Sequence, residues 1–365
     1  MFRLCSGRPG PAFVRELRHV PFVWECTALS RLHRPTEPTS FSRRETGYIA
    51  RVNFAPAYMA LAETGELRRR AEQAVVLLAK CRLCPHRCRA DRLHDRCGAC
   101  GIGRRARVAS YGPHHGEEDC LRGWRGSGSI FFSGCNLRCV FCQNWDISHE
   151  SPGFRPAIHM SRLSETSTAE ALATMMLELQ ERGCHNINWV TPTHVVPQCI
   201  EALALAAERG LRLPIVYNSS GYDAVETLHL LDGVVDIYMP DFKFWDAAIA
   251  AKLTNASDYP QVARAALKEM HRQVGVLQLD ADGLARRGLL VRHLVMPDNL
   301  AGTADVARWL ATKLSPDTYL NVMAQYHPAG DALGHEQIAR PITAKEFRTA
   351  LEEARAAGLH RFDQR

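Results

Sequence analysis

The 365-residue sequence contains no apolar run long enough to cross a bilayer, so no helical membrane span is expected. Its first residues also lack the apolar core of a secretory leader, which argues against an exported, disulfide-stapled protein. Lysine is scarce, arginine supplying 39 of the 45 basic residues. The net charge is +6, but eight arginines against four glutamates fall within the first 50 residues. An excess that local gives little support to a fold built for nucleic acid. Cysteine, by contrast, is abundant: thirteen residues, a high and odd count. With no leader in view they read as reduced thiols in a reducing, cytoplasmic compartment, many of them metal ligands. The apolar share of 46% is that of an ordinary globular protein, and the length allows one large core or two.

Residues 1–54 look unlike the rest, with scattered Pro, Ser and Arg and no sustained period. They read as a disordered or extra tail. An organellar transit peptide is the rival reading, and Glu16 and Glu25 speak against it because such peptides are poor in acid. Order is expected from about Tyr58. Leu67, Ala71, Ala74, Val75 and Leu78 recur at a helical period, which predicts a helix over 61–80 that runs directly into cysteines.

The chain is organised around Gly134-Cys135-Asn136-Leu137-Arg138-Cys139-Val140-Phe141-Cys142-Gln143-Asn144. Three cysteines stand at a Cys-x3-Cys-x2-Cys spacing. Four thiolates would close a tetrahedral zinc or a fully ligated iron–sulfur cluster, whereas three on a [4Fe–4S] cube leave one iron open. Ser129–Phe132 reads as a short buried strand and Ser133-Gly134 as its break. The loop therefore leaves the carboxyl end of a strand, where α/β folds place their chemistry. Three core cysteines or an inert zinc loop would need none of this agreement between spacing, strand and glycine.

This segment resembles the signature of the radical S-adenosylmethionine (SAM) superfamily, with Phe141 as the aromatic residue before the third cysteine. The surrounding FFSGCNLRCVFCQNWDIS is similar to the branch typified by pyruvate formate-lyase activating enzymes. The resemblance covers about residues 55–360. It implies that Cys135, Cys139 and Cys142 hold a [4Fe–4S] cluster whose open iron chelates SAM. One-electron reduction would then cleave SAM to a 5′-deoxyadenosyl radical that abstracts hydrogen from a substrate. It further implies an electron donor such as flavodoxin or ferredoxin, and a substrate that is either a partner glycyl-radical protein or another molecule the sequence does not name. Many superfamily members carry a Gly-Gly-Glu-like run for the methionine amino group, and this chain has Asn188-Trp189-Val190-Thr191-Pro192-Thr193-His194 there instead.

A second cysteine group spans Cys81 to Cys100. Cys81-x2-Cys84 with Cys97-x2-Cys100 has the spacing of a zinc knuckle. Cys81, Cys84, Cys88 and Cys100 would equally suit a second [4Fe–4S] cluster, and in the resembling family this region has a similar Cys-x2-Cys-Pro-x2-Cys then Gly-x-Cys pattern, which leaves Cys97 as an extra thiol. Arginines flank the group, but no aromatic residue interleaves them, so a nucleic-acid module is disfavoured.

Downstream, short apolar strands alternate with amphipathic helices. Strands are expected at 129–132, 187–190, 215–217, 234–238, 289–295 and 319–323. Helices are expected at 168–182, 197–208, 224–231, 261–274, 304–314 and 344–357. Asp280–Gly283 reads as a hairpin turn. Six strands with helical crossovers make an α/β fold with a parallel sheet, an incomplete (β/α)6 TIM-like barrel with an N-terminal cysteine-rich extension. The expected partition is a tail over 1–54, a metal-binding segment over 55–107 and the barrel over 108–365.

The strand ends supply candidate cofactor-binding residues, because barrel sites gather there. They are Thr191, Thr193 and His194; Asn218 and Ser219; Asp241 and Lys243; His293; and Gln325 and Tyr326, joined by Phe141 and Asn144 of the central loop. The resemblance puts Phe141 near the adenine of SAM and the rim residues at its ribose and carboxylate. Two classes of function follow: a radical SAM enzyme, or a non-catalytic iron–sulfur or zinc protein in electron transfer or nucleic-acid binding. The Cys-x3-Cys-x2-Cys loop favours the enzyme.

Overall fold

The computed structural model describes residues 54–149 and 166–363, which fall within one compact unit, Asn53–Arg365. The tail expected over 1–54 lies outside the described residues except for Phe54. The strands in chain order are β1 (Ala106–His114), β2 (Ser127–Phe132), β3 (Thr166–Ser167), β4 (Ile187–Val190), β5 (Ile215–Ser219), β6 (Ile237–Pro240), β7 (Gln278–Leu279), β8 (Ala285–Leu294), β9 (Tyr319–Met323) and β10 (Arg361–Phe362). They form one sheet in the order β10-β9-β8-β6-β5-β4-β2-β1-β3, with β7 paired to β8. The six expected strands are β2, β4, β5, β6, β8 and β9. They are parallel and lie side by side in chain order, the arrangement of a partial TIM-like barrel.

Burial explains the sequence pattern of these strands. Every residue of β4, β5 and β6 is buried, because helices cover one face and the barrel interior the other. β9, near the open edge, alternates instead. Between strands run the helices Ala169–Glu181, Val196–Glu208, Tyr259–Val274 and Thr303–Lys313. Thr168 caps the first of these, its side chain accepting from the Ala171 N–H. Val196–Glu208 is buried almost all round because both Ala169–Glu181 and the N-terminal helix Glu66–Val76 pack on it.

The structure departs from the sequence reading in four places. The helix expected over 61–80 is two helices, Tyr58–Glu63 and Glu66–Val76, then a 3-10 turn at Leu77–Lys80; Gly65, at φ 75°, breaks it. Ala247–Thr254 forms a helix the apolar pattern did not announce, started by Asp246, whose side chain accepts from the Ala248 and Ile249 N–H groups. The strand expected at 234–238 begins later, at Ile237, because the Val234 and Val235 N–H groups close a turn on Leu231 O at 2.9 and 3.2 Å. β1 is an additional strand, antiparallel to β2, and runs through residues 107 and 108, where the sequence suggested a boundary. The expected hairpin turn is present, with Asp280 N–H bonded to Leu284 O at 2.9 Å.

Candidate functional site

The carboxyl ends of β2, β4, β5, β6, β8 and β9 surround one cavity of about 860 Å³. Cys135, Cys139 and Cys142 line it, together with Phe141 and Asn144 of the same loop. The loop is held in place from several sides. Asn136 donates to Tyr222 O at 2.7 Å, Val140 N–H reaches Leu253 O at 3.0 Å, and the Arg138 guanidinium binds Ala99 O at 3.0 Å. The Leu137 N–H points at Cys135 Sγ at 3.3 Å, and Ser148 Oγ lies 3.1 Å from Cys142 Sγ. Phe141 is buried and meets Phe244 and Tyr326 edge-on at 5.7 and 6.3 Å.

The donor set fits the expected cluster. Three thiols from one tight loop face a common space, and an N–H and a hydroxyl stand ready to hydrogen-bond two of the sulfurs. Burial pushes the Cys135 thiol up to about 11 and the Cys139 thiol higher still, so their thiolates need a cationic partner. Among the described residues no three His, Cys, Asp or Glu side chains converge tightly enough for a single ion. A cube seats each thiolate on a separate iron and so asks for wider spacing than one tetrahedral ion does.

Of the other sequence candidates, Thr191, Asn218, Ser219, Asp241, Lys243 and Gln325 line the same cavity. Asp241 and Lys243 form an ion pair on its wall. Burial works to lower the Lys243 ammonium, but Asp241 outweighs it and the pKa is raised. Thr191 has φ 60° although it is β-branched and precedes proline, a costly backbone that its N–H bond to Asn218 O at 2.8 Å helps to hold. Strain of this kind concentrates at functional sites.

Four candidates are not brought to the cavity. Thr193 donates to Asp223 at 2.7 Å behind the rim. His194 is buried with Nε2 on Ser133 O at 3.0 Å, and burial lowers its pKa to about 3. His293 is buried between Phe242 O at 2.7 Å and Thr303 Oγ1 at 2.9 Å. Tyr326 turns its hydroxyl to Ile338 O at 2.6 Å. All four support the rim from within the core.

The sequence reading missed a polar wall opposite the loop. Arg292 of β8 binds both carboxylate oxygens of Glu118, at 2.7 and 2.6 Å, and pairs with Glu117. Asn321 donates to Glu118 at 2.7 Å and Asn188 to Glu117 at 3.0 Å. Burial alone would raise the Glu118 carboxyl, but Arg292 holds it below the ordinary carboxylate range. Glu117, Glu118, Arg292 and Asn321 all line the cavity. The one available signal was an arginine inside an otherwise apolar strand pattern.

The second cysteine group, proposed on spacing, lies beside the central loop. Cys81, Cys84 and Cys100 are buried and Cys88 is exposed, and electrostatic coupling links Cys84 to the other three. Burial pushes the Cys84 thiol up to about 12. Cys97 is exposed and turned toward Asp95 O at 3.7 Å, apart from this set. Arg87, Arg89 and Asp95 all have left-handed φ, a dense run of unfavourable backbone for non-glycine residues. No described cysteine is in a disulfide. His86 Nε2 contacts Asn136 O at 2.7 Å, so this segment abuts the central loop directly.

The Uncharacterized protein MJ0674 of Methanocaldococcus jannaschii is 32% identical over 292 residues, which cover 80% of this chain and 78% of that protein. A solved structure of HydG, a maturase of the [FeFe]-hydrogenase, aligns with a TM-score of 0.42 and 13% identity over 62% of this chain. The chain spans 48% of that protein's length. Residues 129–278, from β2 and the three-cysteine loop through β7, match the family described as the radical SAM superfamily, and this chain belongs to it.

Proposed function

We propose that the cavity is the active site of a radical SAM enzyme in which Cys135, Cys139 and Cys142 hold the [4Fe–4S] cluster. Superfamily membership implies that cluster and SAM as its partner. When bound, the reduced cluster supplies the electron that cleaves SAM to a 5′-deoxyadenosyl radical. The observation that carries the reading is that the three thiols and six strand-end residues line one cavity. Asn218, Ser219, Asp241 and Lys243 offer donors and acceptors for the ribose and carboxylate of SAM. Phe141 offers an aromatic edge for the adenine, while Thr191, Asn144 and Gln325 complete the rim. Arg292, Glu117 and Glu118 form the opposite wall, where a substrate meets hydrogen-bonding groups already fixed in position.

The finer reading is an activating-enzyme-like protein that abstracts hydrogen from a protein substrate of the glycyl-radical kind and takes its electron from a flavodoxin or ferredoxin in the cytoplasm. Its support is the sequence similarity around the central loop. Cys81, Cys84, Cys88 and Cys100 are proposed to hold a second metal centre, an iron–sulfur cluster rather than a single zinc ion, for which no described set of ligand side chains converges closely enough. This metal would organise the 55–107 segment, whose short loops have little core of their own. In support, Leu78, Cys81 and Leu83 form only a small apolar cluster, separate from the main core. Iron analysis tests the principal site. Changing Cys135, Cys139 and Cys142 to alanine should remove about four irons per chain on anaerobic reconstitution. Unchanged iron and brown absorbance would refute the assignment.

A further inference from the structure

Arg92 is wholly buried, whereas Arg82, Arg87, Arg89 and Arg96 around it in sequence are exposed. Its Nε donates to Gly103 O at 3.1 Å and its Nη1 to His194 O at 2.8 Å, with Cys81 Sγ 3.7 Å from the same nitrogen. Its Nη2 is buried with no hydrogen-bond partner. Among the described residues it pairs with no carboxylate. The adjacent Asp91 is engaged by His94 at 2.7 Å, and Asp95 by the Arg104 N–H at 2.8 Å. A guanidinium cannot escape such a place by losing its proton. Buried charges are tolerated where an opposite charge and hydrogen bonds compensate them, and two carbonyl oxygens supply only the second of these.

We propose that Arg92 is the buried counter-charge of the metal–thiolate centre at Cys81, Cys84, Cys88 and Cys100, an inference that rests on the second-metal reading above. Four thiolates on the dicationic core of an oxidised [4Fe–4S] cluster leave a net double negative charge. Cys81 is already at the guanidinium, and Cys100 lies within its electrostatic reach. The unpartnered Nη2 is then the donor left over for a ligand sulfur, a bond that orients and stabilises a bound thiolate. The same side chain carries the centre's position onward. Arg92 holds His194 O, and the His194 ring holds Ser133 O, two residues before Cys135.

The test uses the full chain with Cys135, Cys139 and Cys142 changed to alanine, so that remaining zinc or iron belongs to the second group. Zinc and iron per chain are measured after anaerobic purification, followed by the EDTA concentration that strips half of the metal. Arg92→Met should lower that concentration about ten- to hundredfold, the usual effect of deleting a group that supports a metal ligand. Arg92→Lys, which keeps the charge but not the fork, should fall between. With Cys81, Cys84, Cys88 and Cys100 also changed to alanine, Arg92→Met should raise the thermal midpoint, because it then removes a charge with no partner. A parent protein without metal would overturn the second-metal reading and this inference with it. Metal present but an unchanged stripping midpoint in Arg92→Met would overturn the counter-charge alone. So would an equal loss of thermal midpoint with and without the four cysteines.

Discussion

Gly134 stands against the main-chain oxygen of Cys100 so closely that a Cβ added to it would lie 2.6 Å from that oxygen. Its φ is 76°, so the position is closed to other residues by both contact and backbone. The two cysteine segments therefore touch through a glycine one residue before the first ligand of the central loop. Gly134→Ala should cost about 1–3 kcal/mol through backbone strain and the forced retreat of Cys100. Denaturant titration of the reconstituted protein checks the stability, and iron retention at the central loop should fall in parallel.

The buried wall of the cavity makes a sharper prediction. Arg292 pairs with both Glu117 and Glu118, and the Glu118 side chain is 1% exposed. Arg292→Met strands two carboxylates, and losing one partner of a buried pair typically costs about 3–5 kcal/mol. Adding Glu118→Gln to that variant should recover part of the loss, because it removes one of the stranded charges. Equal losses in the single and double variants would show that the wall is not electrostatically coupled.

His293 contributes to the pH dependence beside His194, whose pKa burial lowers in the same direction. Burial lowers the His293 pKa from 6.5 to about 4, so the folded protein keeps the ring neutral where the unfolded chain takes up a proton. The unfolded state binds more protons in this window, and stability must fall with pH from about 6.5 to about 4. The loss attributable to this ring is about 3 kcal/mol at the acid end. His293→Gln should be less stable at neutral pH but show a flatter decline across that window in thermal unfolding. A decline as steep as in the parent protein would assign the acid lability elsewhere.

The parallel strands were legible because each is a short apolar run ended by polar residues, and full burial on both faces writes that pattern plainly. The loop of the central cysteines was legible through their spacing, the strand before it and Gly134, and Cys135, Cys139 and Cys142 do line the cavity. Which rim residues face the cavity was not legible. After β4, Thr191 faces it while Thr193 and His194 turn back to Asp223 and Ser133, because a strand end leaves in a direction set by the following turn. β1 carries Gly112 and Pro113, residues disfavoured inside strands, yet it pairs with β2 through both positions. The wall of Glu117, Glu118 and Arg292 joins residues about 175 apart in sequence, and no local pattern reports such a pairing. Asp223 also went unnoticed: its three hydroxyl partners are Tyr217 and Ser219 of β5 and Thr193 after β4.

The central claim is that the three-thiol loop and the strand-end cavity together bind and reductively cleave SAM. The most direct measurement incubates anaerobically reconstituted protein with dithionite and SAM and quantifies 5′-deoxyadenosine by chromatography. The wild-type chain should produce it, slowly even without substrate, and the variant with Cys135, Cys139 and Cys142 changed to alanine should produce none. A wild-type protein that carries its full iron and sulfide content yet yields no 5′-deoxyadenosine would contradict the account.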